Sequence, residues 1–275
     1  MTEPRSSAGG GDALVERPAT PEPELEEAFD RLVEEGAARL ARPWTTLVVT
    51  GLLGGLDIGS GVLAFLLVKH ETGSQTLAGM AFSIGFVALL LARSELFTEN
   101  FLVPVAAVAA KRNSLGALGR LWSVTLVMNL LGGWLVAWLL MRAYPDLHET
   151  AIASGTYFAG LGVDVRSFAL AVLAGVVITT MTRMQHATES LGVQLVPALL
   201  FGSLLAGGQL FHCVLDSLLM FAALITGDAP FGYLDWLGAL AWSAFGNFVG
   251  GVGLVAFLRL VRVPHLVIDE RAQNS

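Results

Sequence analysis

The sequence predicts an all-α membrane protein with six transmembrane helices in two inverted three-helix halves, the second and fifth helices being broken. Three observations carry this. The 275 residues are 54% hydrophobic and only 14% charged, and mean hydropathy is +0.66; ordinary soluble chains carry roughly 25% charged residues. The apolar residues fall into six long stretches. The last three stretches echo the first three at a nearly constant offset. The composition excludes a disordered chain, a nucleic-acid binder and an ordinary soluble enzyme.

The elements follow in order. Residues 1–24 are polar and rich in Gly, Pro and Glu, and read as a solvated tail with no secretory signal. Residues 25–42 read as an amphipathic helix ending at Pro43: Leu25, Phe29, Leu32, Val33 and Leu40 recur at helical spacing among Glu26, Glu27, Arg31 and Glu34. It is expected on the membrane surface, under the bundle or simply solvated. The domain spanning 43–262 holds the six stretches: 43–68, 77–109, 115–141, 167–187, 191–226 and 236–258. A span needs about 20 apolar residues. The second stretch is interrupted by Arg93, Glu95 and Glu99. The fifth exceeds one span and contains Gly207, Gly208, Gln209, His212 and Asp216. Residues 263–275 read as a second tail.

Basic residues near the span ends set the orientation. With both termini on one side, that side holds Arg31, Arg39, Arg42, Lys111, Arg112, Arg120, Arg183, Arg259 and Arg262. The other holds Lys69, Arg142 and Arg166. This bias predicts cytoplasmic termini. The tryptophans, Trp44, Trp122, Trp236 and Trp242 among them, read as interfacial anchors.

The internal echo pairs Gly55 with Gly175, the run Glu95–Thr98 with Gln209–His212, and Asn129, Gly132 and Gly133 with Asn247, Gly250 and Gly251. These offsets are 120, 114 and 118. Three ordered matches point to duplication, and three spans per half force opposite topologies. The repeat also pairs the two broken helices. A break frees backbone N–H and C=O groups, which cost several kcal/mol each in hydrocarbon unless they face protein or a wet cavity. A half-helix that begins at midplane presents free N–H groups and partial positive charge, a station for a small anion.

On four sets of residues the chain resembles the formate/nitrite transporter family over about 25–262. They are Gly54-Gly55-Leu56-Asp57-Ile58-Gly59-Ser60-Gly61, Glu95-Leu96-Phe97-Thr98 followed by Asn100, His212 in the fifth stretch, and Gly246-Asn247-Phe248-Val249-Gly250-Gly251. The resemblance implies an aquaporin-like fold and a homopentamer with one pore per protomer. It implies transport of small monovalent anions such as formate, nitrite or hydrosulfide, often with a proton. It implies that Thr98 faces His212 across the pore, that Leu96 and Phe97 narrow the path, and that Asn247 lies near an outer vestibule. Departures from the family pattern are Phe211 in place of glutamate, Asp216 in place of asparagine, Gly175 in place of asparagine, and a carboxylate at Asp57.

The site expected from these residues has His212, Thr98, Leu96, Phe97, Phe211 and Asn247 along the path. An imidazole can donate a hydrogen bond or a proton to a weak-acid anion, and neutralising it removes most of the cost of burying its charge. Asp216, four residues on and on the same helical face, either favours the imidazolium or repels anions. Arg93, Glu95, Glu99 and Asn100 either hold the loop through local ion pairs or meet the substrate. Asp57 is expected to cap freed backbone, to pair in the pore or to face a subunit interface. Cys213, the one cysteine, reads as packing. His70, His148, His186 and His265 have no metal-ligand spacing, so neither metal nor cofactor is expected. No nucleophile elbow, glycine-rich phosphate loop or nucleotide-binding domain appears. The leading reading is a channel for small anions. Its rivals are a pore for a neutral solute or a protonated acid, and a non-transporting sensor or scaffold.

Overall fold

The computed structural model describes residues 23–273. Residues 1–22 of the expected N-terminal tail lie outside the described residues. Helix α1 (Pro23–Leu40) precedes the membrane domain. The first span is α2 (Trp44–Thr72). The second is split into α3 (Gln75–Ala92), a 3-10 turn at Phe97–Phe101 and α4 (Val103–Ala109). The third is α5 (Leu115–Ala143). Helix α6 (His148–Ala159) crosses to the second half. There α7 (Val165–Gln185) is the fourth span, α8 (Leu191–Gly207) and α9 (Cys213–Thr226) form the split fifth, and α10 (Tyr233–Phe248) leads through a π-helical stretch at Val249–Ala256 into α11 (Phe257–Arg262). Among the described residues, five helices are long and apolar enough to cross a bilayer: α2, α3, α5, α7 and the rod Tyr233–Arg262. The chain is an integral membrane protein whose second and fifth spans are discontinuous, as the interrupting polar residues predict.

Two elements differ from expectation. Residues 148–159, which the sequence assigns to a loop, form α6; Ala151, Gly155 and Phe158 recur at helical spacing and are buried, and the helix lies across α9. Residues 264–273, part of the expected C-terminal tail, are helical: α12 (Pro264–Gln273) buries Leu266 and Val267 in a cluster with Phe29, Leu32 and Val33 of α1 and Val103 and Ala106 of α4. Both terminal helices therefore pack under the bundle on one face, here the terminal face.

The repeat is visible bond by bond. Gly55 packs so closely on α5 that an added Cβ would lie 2.3 Å from the Asn129 carbonyl oxygen; at Gly175 it would lie 2.1 Å from that of Asn247. Only glycine fits either contact, which accounts for glycine at 175. The two halves thus dock their first and third spans by the same backbone approach.

Three tryptophans correct the interfacial reading. The indole N–H of Trp122 donates to the Asn100 carbonyl, that of Trp236 to Ser217 Oγ and that of Trp242 to Ser167 Oγ. Trp44 is exposed.

Candidate functional site

Each break is built the same way. Helix α3 ends at Arg93, in the left-handed region at φ 54°, and α8 runs out through Gly208 to Gln209 at φ 50°. The next N–H turns back into the ended helix, Ser94 to the Leu89 carbonyl and Leu210 to that of Leu205. The chain then extends across a neighbouring span: Glu95 N–H donates to the Thr50 carbonyl and Phe211 N–H to the Leu170 carbonyl, 3.3 Å each. A buried asparagine completes each break. Asn129 Oδ1 accepts from Phe97 N–H at 2.8 Å, and its Nδ2 donates to the carbonyls of Gly51 and Glu95. Asn247 Oδ1 accepts from Cys213 N–H at 3.0 Å, and its Nδ2 donates to the carbonyls of Ala171 and Phe211. Backbone groups that the breaks would strand in hydrocarbon are satisfied by one side chain per half.

This geometry corrects two expectations. Asn247 is not beside a vestibule; it is fully buried and spends its amide on backbone. The register of the breaks is 116, matching Arg93 with Gln209 and Phe97 with Cys213, not 114. His212 is therefore the repeat partner of Leu96 rather than of Thr98. Thr98 and His212 meet because the two breaks cross.

Their contact is the centre of the site. His212 Nε2 lies 2.9 Å from Thr98 Oγ1, and both residues are buried. His212 is the N-cap of α9, and its Nδ1 accepts from Leu215 N–H at 3.1 Å. In the neutral ring the proton is therefore on Nε2, which donates to Thr98. Asp216 does not touch the imidazole. Its Oδ2 accepts from His212 N–H at 2.7 Å, closing a reciprocal cap on α9, while Oδ1 is buried without a partner.

The residues around Thr98 are tied to α1, which the sequence alone does not reveal. Arg42 forms a close ion pair with Glu95 Oε1, and Arg39 approaches the same oxygen at 3.8 Å. Arg39 also donates to Asn100 Oδ1 and to Glu35. His186, just beyond α7, bridges back to Glu35 at 3.0 Å while its Nδ1 donates to the Thr182 carbonyl. Burial works to raise the Glu35 carboxyl, yet the His186 hydrogen bond and the Arg39 charge overcome it and hold the group well below the usual carboxylate range. Arg93 makes no ion pair among the described residues, so the loop is held from outside rather than by a local pair.

Two cavities flank the contact. On the terminal face, a cavity of about 600 Å³ is lined by Arg39, Arg42, Ser94, Glu95, Glu99, Gln185 and His186, among others. On the opposite face, one of about 400 Å³ is lined by Phe65, Lys69, Gln75, Tyr157, Phe158, Leu215 and Leu219, among others. Leu215, whose N–H holds the ring, borders one cavity, and Glu99, next to Thr98, borders the other. Leu96, Phe97 and Phe211 are buried in the main core between them, Phe211 stacked on Phe158 at 6.1 Å. Asp57 is half-buried on α2 beside Ser94, with Oδ2 buried and unpartnered; it does not reach the Thr98–His212 pair. Among the described residues no cluster of His, Cys, Asp or Glu could hold a metal.

Comparisons with known proteins agree with this arrangement. The family described as formate/nitrite transporter matches residues 26–261. The chain is 28% identical over 258 residues to "Inner membrane protein YfdC" of Escherichia coli (strain K12), covering 90% of this chain and 81% of that protein. It is 24% identical over 251 residues to "Formate channel BtFdhC" of Bacillus thuringiensis, covering 84% and 92% respectively. Among solved structures, an "FNT family ion channel" aligns with a TM-score of 0.76 at 19% identity, over 86% of this chain and 99% of that one. A "Pentameric formate channel with formate bound" aligns with a TM-score of 0.66 at 19% identity, over 80% and 96%.

Proposed function

The chain belongs to the formate/nitrite transporter family, and from that premise we propose that it is a channel for small monovalent weak-acid anions, formate and nitrite among them, that cross at the Thr98–His212 contact. One observation carries this reading: a buried imidazole, held by its Nδ1, aims its Nε2–H into the crossing of two broken helices between two cavities. An anion that displaces Thr98 from Nε2–H gains a hydrogen-bond donor beside the N-terminus of α9, where the helix contributes partial positive charge. Leu96, Phe97 and Phe211 surround the crossing with apolar side chains. There a bare charge is costly, and a proton gained in transit lowers that cost. Proton coupling is part of the proposal. With Nδ1 engaged by Leu215 N–H, the ring serves as donor and guide in its neutral form.

We read the protein as a homopentamer in a bacterial inner membrane, not an enzyme, with both termini cytoplasmic. The structural likeness to a pentameric channel, the relative from an inner membrane and the basic residues on the terminal face support this reading. Asn129, Asn247, Asp216, Asn100 and Glu95 hold the site; His212 and Thr98 meet the solute.

The test is reconstitution into liposomes with inward gradients of formate, nitrite or a neutral solute such as urea. Formate and nitrite flux that survives removal of residues 1–22, read as anion current under an imposed potential or as lumen acidification under a formate gradient, is the expected result. Flux of the neutral solute without anion current would favour the neutral-pore reading, and no flux at all would favour a scaffold.

A further inference from the structure

The two acidic residues of the first break have different surroundings. Glu95 is paired with both Arg42 and Arg39. Glu99 is 8% exposed and, among the described residues, has no cation within 4 Å of its carboxylate. It nevertheless lines the terminal-face cavity, directly after Thr98 in the chain. The charged and titratable groups around it are Glu95 and Arg93 of the break, Arg31, Glu35 and Arg39 of α1, Arg42 in the link to α2, and His186 and Glu189 beyond α7. Of the cations, Arg39 is already bonded to Glu35 and Asn100 and Arg42 to Glu95. Burying a carboxyl group without a paired cation is expensive and calls for a role. The imidazole leaves one open: a proton given up at His212 Nε2 can return only at Nε2, because Nδ1 is the cap acceptor.

We propose that Glu99 is the proton-exchanging group of the pore, passing a proton between the terminal-face cavity and a weak-acid anion as it enters the Thr98–His212 crossing. This rests on the reading of the chain as a weak-acid channel. In the inward-facing step the Glu99 O–H bond breaks as the O–H bond of formic acid forms, leaving a Glu99 carboxylate and a neutral acid that passes the contact. Hydronium in the cavity then reprotonates Glu99. In reverse transit, Glu99 takes the proton from the arriving acid and hands it to cavity water. Arg39, within electrostatic reach on the same cavity wall, steadies the carboxylate between the two halves of the cycle.

The experiment uses the full chain in liposomes loaded with a pH dye. Formate-driven lumen acidification is compared with formate current under a potassium diffusion potential, for wild type, Glu99→Gln and Glu99→Asp, between pH 5.5 and 7.5. The expected result is that Glu99→Gln lowers the ratio of acidification to current at least tenfold and flattens its pH dependence. Glu99→Asp, shorter but still able to exchange a proton, should retain acidification with a displaced pH profile. Should Glu99→Gln not assemble, the Glu99→Asp profile decides alone. A wild-type ratio and profile in the variants, or an equal fall of current and acidification, overturns the proposal while leaving the channel intact. A wild-type chain that moves formate by neither route overturns the functional reading and this inference with it.

Discussion

The two breaks share one hydrogen-bond plan and differ in what holds them. In the first, Asn129 ties the backbone from within, but Glu95 and Asn100 are gripped by Arg39 of α1 and Arg42 in the link that follows it, outside the membrane spans. In the second, Asn247 does the same work, and the start of α9 is capped internally by the His212–Leu215 and Asp216–His212 bonds under α6. A duplicated scaffold has thus been given one break that answers to a peripheral helix and one that is self-contained. The self-contained break fixes the imidazole; the other carries Thr98 to it.

The comparison breaks most visibly at the shared element. Asn129→Leu and Asn247→Leu each strand one loop carbonyl and one N–H in a dry interior, and a buried polar group without a partner costs about 1–3 kcal/mol. Each variant should lose about 2–6 kcal/mol by that count, seen as a failure to extract a monodisperse oligomer in mild detergent. A well-behaved Asn247→Leu beside a failed Asn129→Leu would show that the two halves are not held alike.

The next effect should separate the breaks. Arg42→Ala leaves Glu95, 2% exposed, with only the more distant Arg39. Removing one partner of a buried pair costs roughly 3–5 kcal/mol, less here because Arg42 itself is partly exposed. Labelling of a cysteine placed at Ser94 should accelerate, while one placed at Gln209 should react as before. Equal acceleration at both would merge the two breaks into one unit.

Smaller still is the cap on α9. Asp216→Ala removes the acceptor for His212 N–H and should cost about 1 kcal/mol, as helix-cap losses do, whereas Asp216→Asn keeps an acceptor and should leave thermal stability close to wild type. If Asp216→Asn instead shifts the pH profile of flux, the carboxylate acts on the imidazole through space as well as through the backbone.

The smallest expected effect is the acid response of α1. The Glu35 carboxyl is held below its ordinary range in the folded protein. Its contribution is then fully present above the ordinary carboxylate range and is lost only as pH falls through the depressed folded value. Docking of α1, followed by limited proteolysis, should hold at pH 5 and weaken only in stronger acid. Release at pH 5 or above would show that the Glu35 carboxylate does not hold α1 in place.

Much of this was legible in the sequence because hydrocarbon leaves few options. Six apolar stretches, charges at Arg93, Glu95 and Glu99, and the Gly-Gly-Gln before His212 locate the spans and both breaks. The Asn-x-x-Gly-Gly echoes locate the asparagines, though not their work: a staple between backbone groups has no periodicity to read. The repeat register was missed by two residues because apolar strings such as Leu-Phe match at more than one offset, whereas hydrogen bonds allow one. Helix α6 was missed because it has 12 residues and a polar first turn. The grip of Arg42 on Glu95 joins residues 53 apart, and nothing local announces such a pair.

The most direct test of the central claim, that solute crosses at the imidazole held between two breaks, is formate flux through His212→Asn. Asparagine is a good helix cap, able to accept from Leu215 N–H, but it withdraws the ring from Thr98. With the oligomer intact, flux should fall by a factor of about 100, the loss of one well-placed donor at a site of charge. Flux equal to that of wild type would place the crossing elsewhere in the molecule.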